Sequence, residues 1–453
     1  MANHILPLDD AYIAYLRDES RLTGTADSIS FPTDEAELLE QLSALREAGT
    51  PVTIQGGQTG IAGGAVAQGG HILNLSRMNK VLDISWDTDG TALLRAEPGL
   101  TMMELRQAAA AFSGRRRVYW PPEPTSLTAT VGGAAATLAK GILSGSGENT
   151  YIEAVRLVAE DGTVHALKHG DGLLEQVLGA EGLPGVFSEV TLRLIPEASE
   201  VWGICVFFES FDPLCGFVEA LCENKPAELA VAEYMDAALL KLADQRRATM
   251  VRLKALPNFP AAGGAVYLEL HGTEEAVMAS ADQVLEHAIL AGCEDSQIWA
   301  VSGASEVERL RELRIAAQEL VGMHYDGLAA GLPRLVADMT FPRHSFRDTA
   351  ALYQEDAAEA GIGCCVYGHI LTNHLTASLL PEDAAQHAWA VAMLRRWAKM
   401  ALDQGGETAG SYGIGSLKRQ LLEGLLPEEK LERCRRITEQ LAPQRTWNRA
   451  AVL

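Results

Sequence analysis

A glycine-rich stretch between two short apolar segments constrains the fold of this chain more than any other feature. Residues 51–75 read PVTIQGGQTGIAGGAVAQGGHILNL and hold seven glycines. Glycine tolerates positive φ and lets another backbone or a ligand approach closely. Successive main-chain N–H groups in such a loop form an anion-binding concavity. The sequence therefore predicts either a loop that binds a phosphate-containing ligand or a glycine-rich hairpin that binds none.

The spacing of these glycines argues against two common phosphate-binding classes. It is neither GxGxxG nor GxxxxGK[ST], and no acidic residue follows at the distance typical of a nicotinamide-binding βαβ unit. A pyrophosphate ligand is compatible with the loop, whereas a Rossmann dinucleotide site and a P-loop are not expected.

Length and composition limit the remaining classes. A chain of 453 residues is too long for one core, so two domains are expected. The net charge of −23 argues against nucleic acid and anionic membranes as partners, because both require clustered Lys and Arg. Seven cysteines without a CxxC spacing indicate reduced thiols and no iron–sulfur cluster.

Targeting signals are not evident in the sequence. No apolar run approaches the roughly 20 residues of a membrane-spanning helix, and the N-terminus carries early acids where a signal peptide has a basic segment. We expect a cytoplasmic protein that associates with a membrane only through a partner.

The pattern of apolar residues changes at 197–200. Before this point short strands and helices alternate; the first helix is expected at Asp10–Arg21, and the next begins near Asp34 and ends at Gly49. After it, strand-like segments alternate with long helical ones, among them 305–322. This second half predicts an antiparallel sheet with helices on one face.

Two further motifs follow the glycine stretch. Residues 119–137, YWPPEPTSLTATVGGAAAT, combine prolines that fix an extended entry with small residues that begin a helix. We expect this helix to direct its first N–H groups outward to a ligand. Residues 182–194, GLPGVFSEVTLRL, predict a glycine turn and an alternating strand.

Together these motifs resemble the FAD-linked oxidase family with the vanillyl-alcohol oxidase, or PCMH-type, fold. Residues 51–64 resemble PxxPRGGGTGLSGG, with Gln55 and Gln58 in place of an arginine and a glycine. The later motifs resemble PPDPSS…ATIGG and GTLGIITEATLRL. The glycolate oxidase FAD subunit and the D-lactate and D-2-hydroxyglutarate dehydrogenases are the family members that the pattern resembles in particular.

The resemblance implies an α+β fold, with a two-lobed PCMH-type FAD-binding domain followed by an antiparallel-sheet, ferredoxin-like substrate cap domain. The expected parts are an N-terminal helix and connector at 1–31, the FAD-binding domain at 32–198, the cap domain at 199–425, and a C-terminal helix and tail at 426–453 that returns to the FAD domain.

The resemblance also assigns the cofactor site. It places the FAD pyrophosphate on the main chain of residues 56–60, and the binding is expected to be non-covalent because the loop 55–64 holds no His or Cys. The expected cofactor-binding residues are Gln55, Gly56, Gly57, Gln58, Thr59, Gly60, Gly63, Gly64, Pro122, Ser126, Thr130, Gly132, Gly133, Gly185 and Val186.

Two motifs of the second half match the family less completely. Residues 368–381 resemble GHIGDNHLHVNILP, and residues 409–415 resemble SGEHGIG. Relatives that contain a metal bind it through two histidines and a glutamate of these motifs. Only His369 stands at such a position here, since the other two are Thr376 and Ser411. Three protein ligands are the usual minimum, so no metal site is expected. His374 is either a substitute ligand or a core histidine.

The residue at the place of the family's general base is Tyr412. A phenol with an unperturbed pKa near ~10 is a weak base at neutral pH unless a neighbour such as Lys418 lowers it. Tyr412 therefore either acts as the base or packs against the flavin. Arg314 is the candidate for binding a substrate carboxylate, or else a surface arginine in i,i+4 pairs. The candidate catalytic residues are Tyr412, His369, Arg314 and His374.

These expectations lead to two functional hypotheses. The first is a dehydrogenase that oxidises a small D-2-hydroxy acid by hydride transfer to flavin N5. Its electrons would pass to an external acceptor, which is a quinone, an electron-transfer flavoprotein or an iron–sulfur subunit. The second is a flavin-carrying subunit of a larger redox complex whose substrate site is degenerate. An oxidase that reduces O₂ and a homodimer both stay open.

Overall fold

A computed structural model describes residues 4–112, 114, 116–143, 151–328, 331–444 and 446–448. The chain forms two compact units, one of Met1–Glu197 with Ser411–Leu453 and one of Ala198–Gly410. The predicted change near 197–200 thus coincides with a boundary between units. The four domain bounds themselves remain a proposal. In the described chain no helix is both long enough and apolar enough to span a bilayer.

The secondary structure is mixed, as predicted. The strands are β1 Leu6–Pro7, β2 Ser28–Ser30, β3 Val52–Gln55, β4 His71–Asn74, β5 Val81–Trp86, β6 Ala92–Ala96, β7 Val118–Tyr119, β8 Ile152–Val158, β9 Val164–Lys168, β10 Val186–Pro196, β11 Glu200–Phe208, β12 Leu229–Asp236, β13 Gly264–Gly272, β14 Ile298–Ser302, β15 Leu335–Ala337, β16 Gly363–His369 and β17 His374–Leu380. The α-helices are α1 Glu35–Glu47, α2 Met102–Phe112, α3 Val131–Thr137, α4 Leu174–Val177, α5 Phe211–Glu223, α6 Ala237–Arg246, α7 Val251–Lys254, α8 Glu274–Leu290, α9 Ala304–Ile315, α10 Ala317–Asp326, α11 Phe346–Glu359, α12 Ala384–Asp403, α13 Gly415–Leu421 and α14 Glu428–Leu441.

The first unit contains two sheets. The smaller has the order β1-β2-β4-β3, and its β2-β4 and β3-β4 pairs are parallel. The glycine stretch is therefore the crossover between two adjacent parallel strands, and not a hairpin. The larger sheet has the order β5-β6-β10-β8-β9 and is antiparallel. Leucines of α1 pack with Val52, Leu73 and Val186 in a shared core.

Two predicted helices of the first unit have different outcomes. The helix after Thr33 begins as expected, because the Asp34 carboxylate accepts from the Glu37 N–H, and Gly49 follows its end with φ +63°. The predicted helix Asp10–Arg21 is wrong. It is a 3₁₀ helix over Asp10–Leu16, and the chain at Arg17 is already extended.

The smaller sheet contains a buried histidine on β4 whose ring lies against two serines of the neighbouring strand β2. His71 is fully buried, with Nδ1 2.8 Å from Ser28 Oγ and Nε2 2.7 Å from Ser30 Oγ. Burial lowers the pKa of His71 to about 4, so the imidazole is neutral at physiological pH.

This histidine predicts a loss of stability in weak acid. An unfolded histidine binds a proton near pH 6.5, whereas His71 in the fold does not until about pH 4. The free energy of unfolding should therefore fall by roughly 3 kcal/mol as pH drops through this window. His71→Gln should flatten this part of a urea-unfolding series against pH, while His169→Gln, at a half-exposed histidine, should not. Equal slopes in wild type and His71→Gln would contradict the assignment.

The second unit has a seven-stranded antiparallel sheet of order β14-β11-β13-β12-β16-β17-β15, which confirms the predicted type of sheet. The details differ from the predictions in two respects. The strands β12 and β14 and the helix α6 were not predicted. The helix expected over 305–322 is two helices, α9 and α10.

Candidate functional site

The first unit brings the glycine stretch into contact with the second motif. A Cβ atom on Gly56 would lie 2.3 Å from Thr130 Oγ1, and one on Gly57 would lie 2.1 Å from Thr128 O. Neither position has room for a side chain. These two glycines therefore serve the packing of one loop against the other, and the motifs that the sequence assigned to one site are adjacent.

The loop that follows offers a set of main-chain donors. Within the described part of the chain, no protein group accepts a hydrogen bond from the N–H groups of residues 56–60. A Cβ on Gly64 would meet nothing within 4 Å, and one on Gly60 would meet only Asp18 Oδ2 at 3.9 Å. Several unsatisfied donors beside open space are the arrangement that a diphosphate requires, so this loop fits the pyrophosphate of FAD.

The second motif does not supply the donors that we predicted. Thr130 caps α3, and its hydroxyl accepts from the Gly133 N–H at 3.3 Å. The N–H groups of Val131 and Gly132 donate to Leu100 O at 2.9 Å and Pro98 O at 2.8 Å, in the turn between β6 and α2. The expectation of outward N–H groups at this helix start is therefore wrong, because the protein uses all three. Thr130, Gly132 and Gly133 would therefore contact FAD by van der Waals packing and not through these N–H groups.

Of the other predicted cofactor residues, Gly185, Val186 and Pro122 are buried and Ser126 is half-buried. Gly185 has no room for a Cβ, which would be 2.5 Å from Val158 O, and the Val186 side chain is part of the hydrophobic core. Ser126 is half-buried, and its Oγ lies 3.1 Å from Thr128 Oγ1. Pro122 is buried. A role for these residues in binding FAD stays a prediction, and for Val186 it is limited to the main chain.

A loop near the C-terminus completes the surroundings of the glycine stretch. Ser416 Oγ donates to Gly63 O at 2.8 Å, and the Leu417 N–H donates to Ala62 O at 2.9 Å. The Glu181 carboxylate accepts from the N–H groups of Ile414 and Gly415 at 2.7 and 2.8 Å. The residue just before the third motif therefore fixes the loop that carries Tyr412.

Tyr412 is half-buried on this loop, and the Lys418 ammonium lies 5.9 Å from the centre of its ring. Lys418 is thus placed over the ring face, in a cation–π contact. Sequence reasoning missed Glu181, although an acid before a glycine turn is a recognisable partner for main-chain N–H groups. It also did not use Asn448, whose side chain accepts from Ile54 N–H and donates to Glu181 O, both at 2.8 Å.

The second unit holds a separate polar cluster around a buried acid. Glu233 on β12 is fully buried, and Arg314 on α9 donates Nε to its Oε2 at 2.6 Å. His369 is opposite Glu233 on β16, and its Nδ1 lies 2.5 Å from Oε1. The two atoms are in direct contact, although Glu233 Oε1 has no hydrogen-bond partner of standard geometry among the described residues. Arg314 is therefore buried beside an internal carboxylate and is not a surface arginine in i,i+4 pairs.

The charges of this cluster support one another. Burial on its own would raise the pKa of Glu233, but His369 and Arg314 outweigh it and hold that pKa below its ordinary value. The Arg314 guanidinium also lies 4.9 Å from the ring centre of Tyr367. Sequence reasoning missed Glu233, although a lone acid within the apolar run of residues 229–235 requires buried partners and is a usable signal.

The cluster continues along the neighbouring strands. Tyr367 Oη lies 2.9 Å from Ser378 Oγ and accepts from Gln318 at 2.8 Å. His374 is paired with His369 in the β16-β17 ladder, with ring centres 6.4 Å apart. A Cβ on Gly410 would lie 2.2 Å from the His374 ring, so the His374 side chain is packed tightly against the main chain at Gly410.

The residues described by the structure include no group of three or more His, Cys, Asp or Glu side chains arranged to hold a metal ion. Thr376 and Ser411, which the resemblance matched to the other two ligand positions of the family motifs, carry hydroxyl side chains that are poor metal ligands.

Comparisons with known proteins agree with these motifs. Residues 26–168 match the FAD binding domain family, and residues 196–452 match the C-terminal domain of FAD linked oxidases. The chain belongs to the FAD-linked oxidases. It is an oxidoreductase of the PCMH-type FAD-binding fold, and its cofactor is FAD.

Individual relatives are distant but span most of the chain. A D-lactate dehydrogenase from Archaeoglobus fulgidus is 26% identical over 438 residues, which cover 93% of this chain and 90% of that protein. The glycolate oxidase subunit GlcD of Bacillus subtilis is 23% identical over 441 residues, with coverage of 93% and 88%. A solved structure of alkyldihydroxyacetonephosphate synthase has a TM-score of 0.70 at 15% identity, covers 99% of this chain and 82% of that chain, and supports the fold.

Proposed function

We propose that this protein is a dehydrogenase that oxidises a small D-2-hydroxy acid and passes the electrons to an external acceptor. The observation that carries the proposal is the contact between Glu233 and His369 in a buried polar cluster of the C-terminal oxidase domain. The relatives named as a D-lactate dehydrogenase and a glycolate oxidase subunit support the substrate class. FAD, when bound, supplies the two-electron acceptor for oxidation of the substrate C–H bond.

His369 is the residue that we propose to accept the substrate hydroxyl proton. Its Nδ1 faces the Glu233 carboxylate, so we assign the Nδ1 proton to this contact and the acceptor role to Nε2. The carboxylate also stabilises the imidazolium that forms once the proton is taken, as in other oriented histidine bases. Tyr412 is the competing candidate for this role, from the first unit.

Arg314 is the proposed group for a substrate carboxylate. Its Nε donates to Glu233, which fixes the guanidinium plane over Tyr367. A fixed guanidinium edge suits planar recognition of a carboxylate. His374, tightly packed beside the Gly410 loop, is proposed to shape the site without transferring a proton.

The electrons are proposed to leave to a quinone, an electron-transfer flavoprotein or an iron–sulfur subunit. The seven cysteines of the chain contain no CxxC pair and provide no evident ligand set for an internal cluster. Candidate acceptors can be distinguished by which of them reoxidises the reduced protein under anaerobic conditions.

Anaerobic mixing with D-lactate, glycolate or D-2-hydroxyglutarate tests this proposal. At least one of them should bleach the visible flavin absorbance, and L-lactate should not. His369→Asn should slow the bleaching by roughly 10²–10⁴-fold, the usual contribution of a general base, without releasing FAD. Tyr412→Phe is the comparison, and it should leave the rate within about threefold if His369 is the base. No bleaching by any of the three acids would overturn the substrate assignment.

A flavin-carrying subunit without its own substrate is the second candidate. The internal pairing of Arg314 with Glu233 favours it, because a carboxylate of the protein already engages the arginine proposed to hold the substrate. This function predicts stable co-purification with a partner and reduction of the flavin only through that partner.

A further inference from the structure

We propose that residues 4–25 form a clamp on the FAD diphosphate loop and that Gln58 and Gln55 are the positioning residues through which the clamp acts. This N-terminal clamp precedes the match to the FAD binding domain family, which begins at residue 26. The inference rests on the proposed placement of the diphosphate at residues 56–60.

Gln58 makes the contact nearest to the proposed phosphates. Its backbone has φ +55°, in the left-handed region where the resembled family motif carries glycine. Its Nε2 donates to Arg17 O at 2.6 Å and to Ala14 O at 3.2 Å. The side chain thus ties a strained loop residue to two carbonyl groups of the clamp.

Gln55 makes the equivalent contact at the start of the loop. It is fully buried, and its Nε2 donates to Tyr15 O at 2.8 Å and to Ala65 O at 2.6 Å. Its Oε1 accepts from Asn74 Nδ2 at 3.3 Å. One amide therefore joins the clamp, both sides of the glycine loop and strand β4.

The clamp is also joined to the loop by its main chain. The Thr25 N–H donates to Ala67 O at 2.9 Å. A Cβ on Gly24 would lie 2.0 Å from Ala67 O, so the two backbones touch. Leu22 lies against Gly63 in the same way, 2.7 Å from the Cβ position.

Because of these contacts, the conformation of the loop and the docking of the clamp onto it are coupled, so a change in one changes the other. The left-handed turn at residue 58 is what keeps the donors of residues 56–60 in place, and the two glutamines hold that turn from the side of the clamp. Two sites coupled in this way must strengthen each other by the same factor. FAD should therefore stabilise the docked clamp, and a loosened clamp should weaken FAD binding.

Substitutions at residue 58 distinguish the effect of the side-chain amide from the effect of the left-handed backbone conformation. Gln58→Gly and Gln58→Asn both tolerate the left-handed conformation, but neither side chain reaches Arg17 O and Ala14 O. Each should raise the Kd for FAD by about tenfold, as expected for the loss of two hydrogen bonds, while Gln107→Asn, at an exposed residue of α2, should not. Because glycine relieves strain at φ +55°, the melting temperature of the FAD-free protein should not fall with Gln58→Gly.

Trypsin provides a readout that is independent of activity, since the clamp contains Arg17 and Arg21. In the wild type, FAD should slow cleavage after these residues, as followed by mass spectrometry. In Gln58→Gly, saturating FAD should protect them less. Cleavage that does not respond to FAD in the wild type, or unchanged FAD affinity in both Gln58 variants, would overturn the clamp.

Gly60→Asp distinguishes failure of the clamp from failure of the loop assignment. It adds a carboxylate where the diphosphate is placed and should abolish FAD binding. If Gly60→Asp abolishes binding but the Gln58 variants do not weaken it, the clamp proposal alone is wrong. If Gly60→Asp binds FAD normally, the diphosphate lies elsewhere and both proposals are wrong.

Discussion

Replacing Glu233 by glutamine is expected to lower the free energy of unfolding by about 3–5 kcal/mol, the usual cost of leaving a buried charge without its partner. The side chain is fully buried, and it neutralises Arg314 at 2.6 Å and faces His369 at 2.5 Å. Glutamine keeps the volume but removes the charge, so the buried Arg314 guanidinium would lose the carboxylate that faces it at 2.6 Å. Urea unfolding of the two proteins at neutral pH measures the difference.

The pH dependence gives this prediction a second readout. Because the pKa of Glu233 is held below its ordinary value, its stabilisation is complete above the unfolded carboxyl pKa and is lost as pH falls through the folded one. The gap between wild type and Glu233→Gln should therefore close in acid. Glu355→Gln, at an exposed glutamate of α11, is the matched control and should change the stability little. A small difference in the free energy of unfolding between wild type and Glu233→Gln at neutral pH would show that the Glu233 charge does not stabilise the fold.

Two glycines of the glycine stretch should respond differently to substitution by alanine. Gly57→Ala places a Cβ 2.1 Å from Thr128 O, so the loops must separate, and a cost of about 1–3 kcal/mol is expected together with loss of FAD. Gly64→Ala meets no atom within 4 Å, and it should leave the FAD-free protein unchanged or more stable by up to about 1 kcal/mol. Thermal unfolding of both variants without FAD checks the contrast. Equal effects would mean that the packing of the two motifs is not as described.

The sequence was informative where local chemistry decides the structure. The start of α1 follows from one side-chain cap at Asp34, and the end follows from Gly49 in the left-handed region. The glycine stretch also led to the loop that we propose to hold the cofactor, but for a partly different reason. Gly56 and Gly57 are glycine because other protein atoms fill their Cβ positions, whereas Gly60, Gly64 and Gly69 border open space.

The misses share a physical cause, since each depends on groups that are distant in sequence. Nothing near Glu233 in the chain shows that its partners stand on α9 and β16. The helix start at Val131 looks like a set of open donors until the distant turn between β6 and α2, whose carbonyl groups accept from two of them, is in place. Gln58 in a left-handed conformation is likewise explained only by the carbonyl groups of a segment some forty residues earlier.

Titration of the FAD-free protein with FAD, followed by flavin fluorescence and calorimetry, tests the central assignment most directly. We expect one FAD per chain, release of the flavin on acid precipitation, and no detectable binding by Gly60→Asp at the same protein concentration. A wild-type protein that stays colourless in excess FAD, or a Gly60→Asp variant that binds FAD as tightly as the wild type, would contradict it.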